Sequence, residues 1–277
     1  MPPSEHLAGY PRAFVRFLGT AGARFTVLHQ MRASGGLWVH TGGASWAVDP
    51  GPGALVRICD ALPPLDPEAL EALVLTHRHI DHSTDLNVLA EALTGGGRRK
   101  HGVVVLPEDA VSGPEPVFFR HVRDKVEQVV VWQRGHAVVL PGGTVLTPVP
   151  LEHHGVDCFG FVARHPNLPT WGVVSDTRPL PHLGSHFADC DLLIVHTTLR
   201  HPLETIDHLC LEDARTVARE ARPRLVLLTH LGRGILQEGP RQLAASLELA
   251  HTRFLAAWDG MVLNLETLEP EGAFFEA

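Results

Sequence analysis

The sequence predicts an α+β fold in which two mixed β-sheets pack face to face and carry helices on their outer faces. Apolar runs with strand character, separated by glycine turns, dominate both ends of the chain, and helical segments punctuate the C-terminal half. In addition, side chains able to bind a metal follow several of the predicted strands directly. Such side chains meet where strands end and loops begin, so the fold and the candidate site are predicted together.

The predicted elements alternate short strands with turns and a few helices. Strands are predicted at residues 13–18, 37–40, 45–49, 73–75, 103–106, 129–132, 137–140 and 144–151, with two more that end at Asp176 and at His230. Helices are predicted at residues 54–62, 84–93, 211–221 and 237–251. Residues 109–127 are the least regular stretch and a candidate lid or substrate loop. No linker or repeat divides the chain, so a single domain over residues 1–277 is predicted.

The composition bounds the class of protein. Hydrophobic residues make up 44% of the 277 residues and charged residues 19%, which are globular values. The net charge of −8 argues against wrapping of a long nucleic acid, although basic clusters occur at residues 98–101 and 120–123. Neither a leader-like N-terminus nor a run of 18 apolar residues occurs, so a cytoplasmic location and no membrane partner are expected. The four cysteines form no C-x-x-C pair, which excludes the usual cysteine-based zinc site.

One heptapeptide carries most of the chemical information. Thr76-His77-Arg78-His79-Ile80-Asp81-His82 follows the apolar run Leu73-Val74-Leu75 directly. Three imidazoles and a carboxylate at the end of a buried strand are typical of a metal site. The alternative is a histidine-rich polar loop, since the chain contains 19 histidines.

Three further strand ends carry candidate ligands. The pair His153-His154 follows one predicted strand, Asp176 ends another and His230 ends a third. Together with the heptapeptide they offer nitrogen and oxygen donors and no thiolate. Zinc and manganese suit such donors, and iron is also compatible.

These motifs resemble the metallo-β-lactamase superfamily, whose H-x-H-x-D-H motif lies at a strand end in a four-layered αβ/βα sandwich. Phe17-Leu18-Gly19-Thr20 and Asp49-Pro50-Gly51-Pro52-Gly53 resemble elements of its tRNase Z and phosphoribosyl cyclic phosphate phosphodiesterase branch. In that branch Asp49 would orient a site histidine, and Trp258-Asp259-Gly260-Met261 would form a structural closing turn. The resemblance extends from Phe17 to Met261, although only the metal motifs are specific.

The resemblance assigns two metal positions. Site one would take His77 and His79, and His154 would complete it, because His154 precedes Gly160-Phe161 as in the family's H-x5-G-Y pattern. His153 is the alternative third ligand, since a histidine doublet makes the alignment ambiguous. The remaining ligands would be Asp81, His82 and His230 in site two, with Asp176 bridging the two metals.

Asp81 and His208 are the expected catalytic residues. The resemblance gives His208 the place of a histidine that acts as acid or transition-state donor, and an imidazole can do either. His196 stands where relatives commonly have Glu in an E-A-T motif, so the support of the metals by neighbouring groups is expected to differ here.

The expected activity is hydrolysis by a dinuclear metal centre. Two divalent ions about 3.5–4 Å apart would hold a bridging hydroxide and neutralise charge on a phosphoryl or carbonyl group. Only 21 residues separate His154 from Asp176, too few for the tRNA-gripping arm of the short bacterial tRNase Z. The preferred substrate is therefore a small or cyclic phosphate ester, and a homodimer and nucleic acid binding stay open. The alternatives are a tRNase Z-like endoribonuclease, a lactone or thioester hydrolase, and a non-catalytic metal-dependent ligand sensor.

Overall fold

Two mixed β-sheets build the protein, as the sequence predicts. The computed structural model describes residues 7–271. Within them, the strands are β1 (Phe14–Phe17), β2 (Leu37–Thr41), β3 (Ala44–Val48), β4 (Leu70–Val74), β5 (His101–Leu106), β6 (Val126–Val131), β7 (Val138–Val139), β8 (Val145–His153), β9 (Val156–Arg164), β10 (Trp171–Val174), β11 (Leu192–His196), β12 (Leu225–Thr229), β13 (Arg253–Ala256), β14 (Val262–Asn264) and β15 (Glu269–Glu271).

Both sheets combine a run of parallel strands with antiparallel strands. The first has the order β15-β14-β1-β2-β3-β4-β5-β6, and the second has the order β13-β12-β11-β10-β9-β8-β7. From β3 to β6 and from β10 to β13 the neighbouring strands are parallel, and the other pairs are antiparallel. Parallel neighbours end at the same edge, so the residues that follow β3, β4, β10, β11 and β12 meet on one side of the molecule.

Short helices cover the outer faces of the sheets. They are α1 (Ala23–Leu28), α2 (Ala54–Cys59), α3 (Ile80–Ser83), α4 (Leu86–Leu93), α5 (Glu108–Val111), α6 (Arg120–Arg123), α7 (Leu211–Ala221), α8 (Arg233–Glu238) and α9 (Pro240–Ala245). None of the described helices is long and apolar enough to cross a membrane.

Three apolar clusters fill the spaces between these layers. The central cluster joins both sheets, and in it the rings of Trp46 and Trp171 stack at 5.8 Å and contact Phe161. A second cluster lies between the first sheet and α2 and α4, and a third lies between the second sheet and α7 to α9. This layering confirms the predicted sandwich. The single domain over residues 1–277 stays a prediction.

Two predicted helical features differ in the structure. The helix predicted at 237–251 is wrong: α8 ends at Glu238, Gly239 has a φ of 92°, and Pro240 starts the separate α9. Proline fixes φ and has no N–H donor, so it begins a helix more readily than it continues one. Helix α1 was not predicted, because of its six residues only Thr26 is buried and no apolar face marks it.

Candidate metal centre

The candidate site lies at the edge where the parallel strands of both sheets end. His77 follows β4, Asp176 follows β10 and His230 follows β12, so the topology brings together three residues that are far apart in the sequence. Asp49, directly after β3, and His230 both have left-handed backbone conformations, with φ of 48° and 54°. Such strain in residues other than glycine concentrates at functional sites.

Three histidines form the first group, which we call cluster one: His77, His79 and His153. Their ligand nitrogens lie within 4.8 Å of one another. The rings of His77 and His79 meet edge to face at 4.8 Å between centroids, and His153 lies 5.0 Å from His77. Cluster one thus offers three convergent imidazoles.

His153, and not His154, lies in cluster one. His153 closes β8 and is 4% exposed, whereas the side chain of His154 is 41% exposed. The physical reason is strand alternation: Glu152 points outward, so His153 points inward. His154 then sits in the turn to β9 with a φ of 44°. The structure thus groups His153, the alternative third ligand, with His77 and His79, and groups His154 with His153 and His208.

The second group, cluster two, consists of Asp81, His82 and His230. The Nε2 atoms of His82 and His230 are 3.2 Å apart. The Oδ2 of Asp81 lies 3.4 Å from Nε2 of His230 and 3.7 Å from Nε2 of His82. The ligand set that the resemblance assigns to site two is therefore assembled in the structure.

Asp176 lies between the two clusters and is 2% exposed. Its Oδ2 is 3.3 Å from Nε2 of His82 in cluster two. The same oxygen is 3.6 Å from Nε2 of His153 and 3.8 Å from Nε2 of His77 in cluster one. One carboxylate oxygen thus faces both groups, the arrangement that a bridging ligand requires.

The donors present fit divalent metal ions. Ligands about 2.0–2.1 Å from a tetrahedral zinc lie about 3.4 Å apart, and the donor separations in cluster two are 3.2 to 3.7 Å. In cluster one, Nε2 of His77 is fully buried and has no hydrogen-bond partner among the described residues. A buried polar nitrogen without a partner is costly, and a metal ion would satisfy it.

Neighbouring groups fix the rings of the candidate ligands. Nδ1 of His82 lies 3.0 Å from Oδ2 of Asp49, an oxygen that also accepts a hydrogen bond from the hydroxyl of Thr76, while Oδ1 of Asp49 accepts one from the N–H of Thr76. Nδ1 of His153 lies 2.7 Å from the carbonyl oxygen of Asp207 and must donate to it. When Nδ1 carries the proton, Nε2 is left free as a metal ligand. Asp49 therefore contacts a site histidine as the resemblance implies.

The electrostatic environments of the histidines differ sharply. Burial lowers the pKa of His77 well below its usual range and lowers that of His79 to about 4. Burial would also lower the pKa of His82, but the carboxylates of Asp81, Asp49 and Asp176 hold it well above its usual value. Burial likewise opposes ionisation of Asp176, yet the surrounding histidines, His230 first, keep its pKa well below the usual range.

His208 lies beside both clusters. Its ring is 4.9 Å from that of His153 and 5.7 Å from that of His230, and its Nδ1 is 3.8 Å from Oδ2 of Asp176. Burial lowers its pKa to about 4, against the opposing charge of Asp176. His208 thus lies next to candidate ligands of both clusters.

His196 is the site residue whose contacts the sequence analysis missed. It closes β11, and its Nδ1 lies 2.9 Å from Oδ1 of Asp176. With His82, Asp176 and His230 it forms a group whose ligand atoms all lie within 4.8 Å. The available signal was a histidine directly after the apolar run Leu192–Val195, the same signal that identified His230.

The predicted lid, residues 109–127, contains parts of α5 and β6 with α6 between them. Arg78 of the heptapeptide donates hydrogen bonds to Asp109 at 2.9 Å and to Glu115 at 3.0 Å, which ties this loop to the metal motif. A lid function stays a prediction. The closing turn is structural as expected, since Asp259 accepts hydrogen bonds from Thr20 and from the N–H of Ala33.

The structure therefore combines a two-sheet sandwich with histidine and aspartate donors at one strand edge. The chain belongs to the beta-lactamase superfamily, because the family model described as "Beta-lactamase superfamily domain" matches residues 47–231. Divalent metal ions are implied by this fold and by the donor groups at the strand edge.

Comparison with individual proteins indicates the branch of the superfamily to which the chain is most similar. The chain is 32% identical over 227 residues to the uncharacterised protein MJ1374 of Methanocaldococcus jannaschii, covering 80% of this chain and 84% of that protein. It is 27% identical over 260 residues to a ribonuclease Z of Methanopyrus kandleri, covering 83% and 91% respectively. A solved structure described as a new diphosphatase from the PhnP family has the same fold, with a TM-score of 0.64, 20% identity, and coverage of 91% and 96%. The chain therefore lies near the tRNase Z and PhnP branch of the superfamily.

Proposed function

We propose that the protein is a dinuclear metal-dependent phosphodiesterase that hydrolyses a small or cyclic phosphate ester. The proposed ligands are cluster one for the first ion and cluster two for the second, with Asp176 shared. Bound there, two divalent ions supply a nucleophile at neutral pH and neutralise charge on the attacked phosphate. The nitrogen and oxygen donors are compatible with zinc, manganese or iron.

The observation that carries this proposal is the position of His208. Its ring lies near both clusters, 4.9 Å from His153 of cluster one and 5.7 Å from His230 of cluster two. A phosphate held by both clusters would therefore present its leaving oxygen next to this imidazole. We assign His208 the role of acid: the negative charge of a bound phosphate would oppose the lowering of its pKa by burial, and the protonated ring would donate its proton to that oxygen and be left neutral.

Asp81 is the second proposed catalytic residue. Its side chain is 19% exposed, whereas that of Asp176 is 2% exposed, so Asp81 is the carboxylate that a substrate reaches more readily. Its Oδ2 lies 3.4 Å from Nε2 of His230. We therefore propose that Asp81 both binds the second ion and contacts the substrate.

A small substrate is supported by the short connection from β9 to β10. It spans residues 165–170, and no arm extends from it. The names of the relatives point to phosphate chemistry in general, since one is a ribonuclease and another a diphosphatase. A tRNase Z-like endoribonuclease is the second candidate, and the 27% identity to the ribonuclease Z of Methanopyrus kandleri is what favours it.

The test is hydrolysis of bis-p-nitrophenyl phosphate by protein reconstituted separately with Zn²⁺ and Mn²⁺, with metal-free protein as the blank. We expect metal-dependent release of nitrophenol. No release from protein that holds two ions per chain would contradict the proposal. Faster cleavage of a tRNA precursor than of any small diester would replace it with the nuclease.

Replacement of His208 tests its role separately. We expect His208→Ala to lower kcat by about 10²–10⁴-fold while two ions remain bound, because only proton donation is lost. His201→Ala is the matched control, an exposed histidine on the same loop. Unchanged turnover of the His208→Ala variant would exclude the acid role.

A further inference from the structure

The imidazole of His196 is joined to the carboxylate that lies between the two clusters. Its Nδ1 is 2.9 Å from Oδ1 of Asp176, a hydrogen-bond distance. Both groups are buried, with 9% of His196 and 2% of Asp176 exposed. A charge-assisted hydrogen bond inside a protein is strong, because little water competes for either partner.

The two oxygens of Asp176 have different neighbours. Oδ2 faces the candidate ligands, at 3.3 Å from Nε2 of His82 and 3.6 Å from Nε2 of His153. Oδ1 lies 2.9 Å from Nδ1 of His196 and 3.3 Å from Nδ1 of His230. A carboxylate free to rotate could offer both oxygens to one ion, but a donor on Oδ1 opposes that rotation.

The ring of His196 has little freedom to move. It stacks on His230 with centroids 4.8 Å apart and planes 6° apart, and it lies 5.6 Å from the ring of His82. Its backbone belongs to β11, which pairs with β10 on one side and β12 on the other. Central strands are the most rigid part of such a sheet, so Nδ1 is aimed at Asp176 by packing.

We propose that His196 is a positioning residue that donates an Nδ1–H hydrogen bond to Oδ1 of Asp176 and so reserves Oδ2 for sharing between two metal ions. This inference rests on the metal centre of the proposed function and not on its substrate. Partners of metal ligands orient them, and their loss typically costs 10–100-fold in metal affinity. The expected result of losing His196 is therefore weaker binding of the second ion and loss of the shared oxygen.

The competing interpretation is that His196 itself ligates a metal ion, since its ligand atom lies within 4.8 Å of those of His82, Asp176 and His230. Asparagine separates the two interpretations. Its side-chain N–H₂ occupies the place of Nδ1 and can donate to Asp176, but Asn has no atom at the place of Nε2, the ring nitrogen that is left free for a metal ion when Nδ1 donates. His196→Asn therefore keeps the positioning function and removes the ligand function.

The test compares wild type, His196→Ala, His196→Asn and the exposed control His201→Ala. Stepwise dissociation constants are measured by Zn²⁺ titration against a competing chelator, and Mn²⁺-loaded samples are examined by electron paramagnetic resonance. Folding is checked by circular dichroism. Neither measurement depends on turnover.

We expect His196→Ala to weaken binding of the second ion by about 10–100-fold and to lose the exchange-coupled dimanganese signal, and we expect His196→Asn to restore both. Wild-type behaviour of His196→Ala would overturn the inference. So would equal weakening in both variants, which would assign the ring as a ligand. If only His196→Asn folds, its coupled signal and wild-type affinity support positioning, and their loss overturns it. Wild-type protein that binds fewer than two ions would instead refute the metal centre of the proposed function.

Discussion

The two clusters use the same side chains but receive different support. In cluster two, His82 lies between carboxylates: Asp49 is 3.0 Å from its Nδ1, and Asp176 and Asp81 are 3.3 and 3.7 Å from its Nε2. In cluster one, Asp176 also approaches Nε2 of His153 and of His77, at 3.6 and 3.8 Å, but the Nδ1 atoms of both rings face neutral oxygens. The carbonyl of Asp207 lies 2.7 Å from Nδ1 of His153, and the hydroxyl of Thr76 lies 3.1 Å from Nδ1 of His77.

This difference determines what each cluster holds when metal is absent. The carboxylates of Asp81, Asp49 and Asp176 raise the pKa of His82 against the effect of burial, so metal-free cluster two favours a protonated ring. Burial lowers the pKa of His77, His79 and His153, so cluster one keeps neutral imidazoles ready to bind metal. Cluster one is organised by packing, whereas cluster two is organised by charge.

The largest expected effect separates His153 from His154 in cluster one. We expect His153→Ala to hold one ion per chain after gel filtration and to lose more than about 100-fold in hydrolysis of bis-p-nitrophenyl phosphate, beyond what loss of an outer partner costs. His154→Ala is the matched control and should keep two ions. The opposite pattern, with the ion lost only in His154→Ala, would restore the assignment made from the sequence.

The choice between His153 and His154 shows how far the sequence predicts the site. The strand ends at His77, Asp176 and His230 were predicted because an apolar run precedes each of them, and parallel topology then brings them together. The choice within the doublet depends on strand register, and a shift of one residue moves a side chain to the opposite face. Glu152 was the available signal: a charged residue is expected on the outer face of the strand, so the next residue, His153, is expected on the inner face.

Other features required tertiary information. The position of His196 was visible in the sequence, but its function depends on which oxygen of Asp176 faces it, and only the folded sheets determine that. Helix α1 exposes Phe25 and Leu28 at 62% and 70%, so hydrophobic periodicity could not identify it. Pro240, by contrast, indicates in the sequence itself that the helix predicted at 237–251 is interrupted.

The next effect in size tests the charge that supports cluster two. Asp49→Asn keeps the shape of the side chain but removes the carboxylate charge beside His82. We expect the affinity of one of the two ions to fall about 10–100-fold, with the other unchanged. Chelator-competition titrations give both dissociation constants, and Asp60→Asn, an exposed aspartate at the end of α2, is the control. Equal loss at both positions would show that the two clusters are not supported separately.

The smallest expected effect is on how the free energy of unfolding of metal-free protein changes with pH. We expect the buried histidines with lowered pKa values to determine this change. Burial lowers the pKa of His79 and of His208 to about 4, while a histidine in the unfolded chain has a pKa of about 6.5. Between these pH values the unfolded chain binds protons that the folded protein does not, so the free energy of unfolding rises with pH. His82 does not oppose this, because with its raised pKa it is protonated in both states over most of that range and its contribution is lost only above it.

We therefore expect the melting temperature of metal-free protein to rise from pH 5 to pH 6.5, by on the order of a few °C for each such histidine. Differential scanning calorimetry at fixed ionic strength measures it. His208→Gln should flatten the rise, because one group with a lowered pKa is gone, while the exposed control His201→Ala should leave the slope unchanged. A melting temperature that stays constant or falls over this range would mean that the buried histidines do not stay neutral in the folded protein, and the contrast between packing and charge would then fail.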